Sequence, residues 1–145
     1  MINEDSKNLI KFFESCALTA YQCPAKVWTI GWGATKYKDG TKVKPGDKIT
    51  QKQADELFEA LLTEFEAGVK KLIKVPLSEN QLGAVVSFAY NCGLGNFKTS
   101  TLLKKINASD FVGADKEFAK WTKAGGKELS GLVKRRLQES VLFKK

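Results

Sequence analysis

Between Thr50 and Lys74 the sequence writes one long amphipathic helix, and that helix divides the chain into two parts of different texture. Thr50-Gln51-Lys52-Gln53 has the form of a capping box, with Thr50 as cap and Gln53 reaching back. Leu57, Leu61, Phe65, Val69 and Leu72 then recur at helical spacing and predict one inward face, until Val75-Pro76 breaks the run. Upstream, Leu9, Ile10 and Phe13 predict a first helix over about 3–16, capped by Asn3 or Ser6. From Leu18 to Asp47 the texture turns to β: Val27-Trp28-Thr29-Ile30 is strand-prone, and Gly31, Gly33, Asp39-Gly40 and Pro45-Gly46 are turn signals. Residues 37–43 read as a hairpin around Asp39-Gly40, giving a small antiparallel sheet of about three strands. Downstream, Ser78 or Asn80 opens an apolar helix through Leu82, Val85, Val86, Phe88 and Ala89, ending near Cys92-Gly93. Shorter helices are expected over 99–107, 110–123 and 128–143, with Gly125-Gly126 between the last two. The expected class is α+β, in one domain spanning 1–145. A small sheet lobe (about 15–48) and a larger helical lobe (1–14 and 76–145) are joined by the connecting helix at 50–74. A cleft between lobes is a natural bed for a polymer.

Composition narrows the chemistry. The 145 residues contain no histidine, which removes His-based triads, His metal sites and a His general base. Cys16, Cys23 and Cys92 are odd in number and lack zinc-like spacing, so reduced thiols are expected, with no metal and no cofactor. The net charge of +8, concentrated late in the chain, attracts polyanions. Nucleic acid, anionic lipid and the acidic polymers of cell envelopes all qualify, but no nucleic-acid motif is present and none is expected as partner. No apolar run is long enough for a signal peptide or a membrane span. The expectation is therefore a monomer made in a cytoplasm.

Chemistry concentrates in residues 13–35, Phe-Glu-Ser-Cys-Ala-Leu-Thr-Ala-Tyr-Gln-Cys-Pro-Ala-Lys-Val-Trp-Thr-Ile-Gly-Trp-Gly-Ala-Thr. Glu14 closes a helix, where the macrodipole disfavours an acid. A carboxyl kept there despite that cost suggests one retained for chemistry with a raised pKa. The turn and strand that follow bring Thr29 back over Glu14. Glycosidic hydrolysis needs an acid that protonates the leaving oxygen, held in an apolar and partly dry pocket. Phe12, Phe13 and Trp28 are the neighbours in sequence expected to supply that pocket.

This segment resembles the catalytic signature of the phage lysozymes, the endolysin family of muramidases, which runs F-E-G-x-x-L-x-A-Y-x-[DC]-P-x-G-x-W-T-I-G-x-G-H-T. Residues 77–81 and 86–95 are similar to the family's N-Q-x-x-A-L-x-S-F-x-x-N-x-G run. Residues 97–103 resemble its S-T-L-L element and 131–136 its G-L-x-x-R-R element. The resemblance implies a lysozyme-like fold and an inverting cleavage of the β-1,4 bond between N-acetylmuramic acid and N-acetylglucosamine in bacterial peptidoglycan. It implies Glu14 as general acid, Cys23 at the second catalytic position, and Thr29 as the residue that helps hold the attacking water. Thr35, Tyr90, Asn91, Gly93 and Ser100 fall where relatives line the sugar cleft. Each also reads as a plain helix-end or cap residue. A separate holin-type partner would release the enzyme to the wall.

Four positions depart from the pattern. Cys23 stands where a carboxylate is frequent; a thiolate there stabilises positive charge or acts as a base or nucleophile, whereas a protonated thiol gives little electrostatic help. Lys26 is near enough in sequence to influence it. Ala34 replaces a histidine, and Ser15 and Lys26 replace glycines, leaving two turns less tightly defined. Trp121 reads as core, and Arg135 and Arg136 as partners of carboxylates in the helical lobe. Two other functions compete: a lytic transglycosylase acting on the same bond, for which one Glu suffices, and a non-catalytic wall-binding module using the basic face.

Overall fold

A computed structural model describes residues 2–23 and 25–145. The element order is α1 (Glu4–Glu14), β1 (Ala17–Gln22), β2 (Trp28–Gly31), α2 (Gln51–Leu72), α3 (Glu79–Cys92), α4 (Leu94–Lys98), α5 (Thr101–Asn107), α6 (Phe111–Glu117), a 3₁₀ turn (Phe118–Lys120), β3 (Lys123–Ala124), β4 (Lys127–Glu128) and α7 (Ser130–Lys144). The class is α+β, as the sequence predicts.

Helix starts follow the capping chemistry. Asn3 caps α1, accepting the Ser6 amide at 3.0 Å. Full capping boxes open α2 at Thr50/Gln53 and α3 at Ser78/Gln81. The far end of α2 is closed by a side chain from α5: Asn107 donates to the Leu72 carbonyl (3.0 Å) and accepts the Lys74 amide (2.8 Å). These bonds satisfy groups that a helix end leaves orphaned.

Helix α3 is the axis of the molecule. Residues 83–90 are all buried, so the helix is covered on every side. It packs against α7, α2 and α1. Gly83 lets α1 approach closely, because a Cβ there would collide with Ser6. The apolar core gathers Phe58, Phe88, Phe97 and Phe118 with Ile10, Leu102 and Ile106. On α2, Leu57, Leu61 and Val69 face that core, while Phe65 and Leu72 are half-buried. Among the described residues no helix is long and apolar enough to cross a membrane.

The β region is leaner than expected. β1 and β2 form a two-stranded antiparallel sheet with an irregularity between Ala17 and Tyr21. The expected third strand is replaced by isolated bridges, Thr19–Lys48, Ile30–Ala34 and Lys36–Lys42. The segment around Asp39-Gly40 is held as a turn, with Asp39 accepting the Thr41 amide at 2.9 Å, so it pairs too briefly to count as a strand. Two further differences lie in the helical part. Gly125-Gly126 turns a short hairpin, β3–β4, instead of a plain interhelical loop. The expected helix over 110–123 also ends at Glu117, giving way to a 3₁₀ turn.

The two residues that replace signature glycines keep the glycine-like backbone. Ser15 has φ 57 and ψ 167, and Lys26 has φ 63. The turns are thus as sharp as the family pattern demands, at a cost. A non-glycine residue in the Ser15 conformation costs about 1–3 kcal/mol. Glycine's extra unfolded-state freedom offsets roughly 0.5–1 of that. Ser15→Gly is therefore expected to raise stability by about 1 kcal/mol, or a melting temperature gain of roughly 2–5 °C, read by calorimetry.

Candidate active site

The end of α1, the β1–β2 turn and the end of α3 converge on one cleft of about 310 Å³. Glu14, Cys23, Thr29, Thr35, Tyr90, Asn91 and Gly93 all line it. These residues, spread over 80 positions of sequence, are brought together by the fold. Ser100 is not among the lining residues. It is buried as the cap of α5, accepting the Leu103 amide (3.1 Å) and donating to the Phe97 carbonyl (2.7 Å). Its hydroxyl is committed to the backbone, which is the plain cap reading of that residue.

Glu14 is the last residue of α1, and its side chain is 15% exposed, on the cleft wall. Its partner is Arg135 of α7, whose Nη1 donates to Oε2 at 2.6 Å. A guanidinium at the helix end compensates the unfavourable placement of a carboxylate there. The expected apolar housing from Phe12, Phe13 and Trp28 is corrected: none of the three lines the cleft, and Phe12 is 77% exposed. Phe13 instead underlies Arg135, with the guanidinium carbon 6.0 Å from the ring centroid. The apolar lining comes from Leu61 and Phe65 of α2 and from Tyr90 of α3. Helical periodicity finds Leu61 and Phe65 as core, and only the fold shows that they border a cleft; Tyr90 lines it at the position the resemblance implies.

The other carboxylate oxygen of Glu14 lies against Gly33. A Cβ at that position would overlap Oε1, and the Gly33 φ of 82 is itself disfavoured for other residues. Gly33→Ala should displace the carboxyl and lower turnover by about two orders of magnitude, since a shift near 1 Å suffices for that loss. Far-ultraviolet circular dichroism of the variant should remain native. The tight turn that places Gly33 is built by paired bonds between Ile30 and Ala34 (2.8 and 2.9 Å). It is clamped to α3 by the Tyr90 hydroxyl, which donates to the Trp32 carbonyl at 2.5 Å. Burial pushes the Tyr90 phenol far above its ordinary range, and the nearby Glu14 charge adds to that, so the hydroxyl stays a donor. Tyr90 is nearly buried, and its ring packs with Phe58 and Phe65.

Thr29 is buried, and its hydroxyl donates to the Val27 carbonyl at 3.0 Å. With its proton committed, the oxygen presents lone pairs to the cleft, suited to accept a hydrogen from water. Cys23 is a free, half-exposed thiol in a turn closed by Lys26 N–H to Cys23 O (2.8 Å) and Cys23 N–H to Val27 O (3.0 Å). What meets Cys23 is thus the Lys26 backbone. Pro24 of the motif lies outside the described residues. Asn91 accepts from Arg136 Nη2 at 2.9 Å.

Tyr21, Lys36 and Cys92 also line the cleft and were not singled out from sequence. Tyr21 lies inside the signature itself, a signal that could have marked it. Burial, then the charge of Glu14, raises the Tyr21 phenol above its usual value.

A helical body built around α3, a small β sheet and a carboxyl-bearing cleft where they meet define a lysozyme-like α+β protein. The sequence profile of the phage lysozymes matches residues 11–139, and the chain belongs to that family. It is 46% identical to an endolysin of Bacillus phage B103 over 98% of this chain and 53% of that protein. It is 44% identical to an endolysin of Acyrthosiphon pisum secondary endosymbiont phage 1, over 98% of this chain and 97% of the relative. The chain thus spans about half the length of the Bacillus phage relative. Among solved structures, the endolysin from Escherichia coli O157:H7 phage FAHEc1 superposes with a TM-score of 0.85 at 37% identity, covering 99% of this chain and 92% of that one.

Proposed function

We propose that the protein is an endolysin that hydrolyses the β-1,4 bond between N-acetylmuramic acid and N-acetylglucosamine in bacterial peptidoglycan. The observation that carries this reading is a single carboxyl, Glu14, among the described residues that line a cleft which also holds Leu61, Phe65, Thr29 and Cys23. Glu14 donates its proton to the leaving glycosidic oxygen. Water attacks the other face of the sugar, guided by the Thr29 oxygen, and the product anomer is inverted. Cys23 stands on the side where positive charge develops on the sugar ring. Thr35, Asn91 and Gly93 edge the groove and meet the substrate's polar groups; Tyr90 acts through the turn it clamps. Support comes from family membership and from the relatives' names as endolysins. The muramidase domain of SpmX from Asticaccaulis excentricus shares the fold at a TM-score of 0.85 and 31% identity.

The chain acts as a monomer on the wall after release from the cytoplasm by a separate membrane-permeabilising partner. Its charge of +8 favours approach to anionic envelope polymers. Incubation with purified sacculi should release soluble muropeptides; binding without release would leave only a wall-binding module. Cys23→Ala and Cys23→Asp separate the roles of the thiol. If Cys23 participates, Ala lowers kcat by about tenfold or more and Asp restores it, since electrostatic aid to a charged transition state is worth a few kcal/mol. Equal rates for all three forms would make the thiol a bystander.

A further inference from the structure

Behind the cleft, α7 and α3 enclose a group of charges that the mechanism above does not use. Glu139 is fully buried, and Arg135 and Arg136 are 3% and 1% exposed. Glu139 Oε2 accepts from Ser87 Oγ (2.5 Å), Arg136 Nη2 (3.1 Å) and Arg135 Nε (3.4 Å). Arg136 Nε stands 2.7 Å from Oε1, a close charge contact without hydrogen-bond alignment. Every neighbour of this carboxyl is a donor, which suits an anion and not a neutral acid. Burial raises the Glu139 carboxyl overall, by more than the two guanidiniums and Ser87 lower it; the donor-only surroundings are what favour the anion. Burial works against the charge on Arg135, but Glu14 and Glu139 outweigh it and hold the guanidinium well charged.

The two arginines leave this group in different directions. Arg135 reaches Glu14, and Arg136 reaches Asn91 Oδ1 (2.9 Å) and Cys92 Sγ (2.8 Å) on the cleft wall. Of the charged and titratable groups around Glu14, Arg135 from α7 touches it; Tyr21, Cys23, Tyr90, Cys92 and Lys36 line the same cleft, and Lys36 is paired with Glu64 at 3.2 Å. Arg135 is thus the cation at the acid, and Glu139 is its second anion.

Resting on the general-acid reading of Glu14, we propose that Glu139 is a positioning residue for the cleft: it fixes Arg135 against Glu14 and supplies the negative charge that keeps Arg135 paired while Glu14 is neutral. A general acid spends part of each cycle protonated. At that stage Arg135, without Glu139, would be a buried cation with no anionic partner, a state that protein interiors strongly disfavour. With Glu139 in place, Arg135 holds its position whether Glu14 has just given up or regained its proton.

The test compares wild type with Glu139→Gln, Arg136→Met, the double variant and Glu14→Gln. Turnover of soluble peptidoglycan strands is measured across pH, alongside melting temperature. Glu139→Gln should lower kcat by about tenfold to a hundredfold through misplacement of the acid's partner, with KM changed far less. It should also move the alkaline limb of the activity profile to lower pH by about one unit, since a nearby negative charge has been removed. The double variant removes one charge of each sign. It should melt above either single variant while keeping the kcat loss, which a merely structural role would not do. If Glu139→Gln does not fold, the double variant carries the kcat comparison. A folded variant lacking Glu139 with wild-type kcat and pH profile would overturn the proposal, as would a double variant no more stable than the singles. Full turnover by Glu14→Gln would instead remove the general-acid reading on which the proposal stands.

Discussion

Glu14→Gln should abolish nearly all lytic turnover while leaving the fold intact. The amide has the size of the carboxyl and can still accept from Arg135 through its oxygen, so the geometry at the end of α1 is kept. What it lacks is a proton to give. General acid catalysis contributes about 10²–10⁴-fold. A loss in that range is expected in kcat, with binding of glycan strands retained. The assay is turbidity loss of permeabilised Gram-negative cells, with melting temperature as the folding control. Undiminished lysis would take Glu14 out of the mechanism.

The second large effect falls on stability. Arg136→Met should lower stability by about 3–5 kcal/mol, because it removes the nearer of Glu139's two cations and leaves two carboxylates, Glu14 and the buried Glu139, sharing Arg135 alone. At about 2–4 °C per kcal/mol for a chain slightly longer than this one, the melting temperature should fall by roughly 10 °C. Four contacts are lost together. Glu139 loses its closest guanidinium, at 2.7 Å, and Asn91 and Cys92 lose their donor. The ring of Phe88 also loses the guanidinium lying 5.1 Å from its centroid. The methionine fills the volume of the aliphatic stem, so the effect isolates the charge. A shift under about 2 °C would show that the buried group relaxes or admits water, contrary to the packing described above.

The sequence makes the local features of this molecule readable and leaves the long-range pairings hidden. Thr50/Gln53 sits in a fixed spacing pattern whose physics is local, and α2 starts where that pattern puts it; of the two starts offered for α3, Ser78 and Asn80, the structure uses Ser78. The cleft residues from Glu14 to Thr35 are carried by one continuous signature, so their convergence is legible as well. The strand expected near Asp39-Gly40 fails because two turns so close together leave room for only a single bridge. The β3–β4 hairpin has strands of two residues, too short to show any alternation. Ser100 looks alike as a cap and as a sugar ligand, since one hydroxyl serves either purpose; the backbone claims it. The pairing of Arg135 with Glu14 spans 121 positions, and no periodicity joins residues so far apart. Arg135, Arg136 and Glu139 do lie at helical spacings of four and three, which marks them as one charged cluster. Nothing in that spacing shows that the cluster is buried or that it reaches the acid.

On the proposed function, the cleft around Glu14 adds water across a glycan bond. Digesting purified peptidoglycan in ¹⁸O-labelled water and examining the fragments by mass spectrometry tests it most directly. Hydrolysis predicts reducing muramic ends, each carrying one heavy oxygen from solvent. Fragments ending in anhydro-muramic acid with no label would contradict it, because the sugar's own hydroxyl would then have taken the place of water.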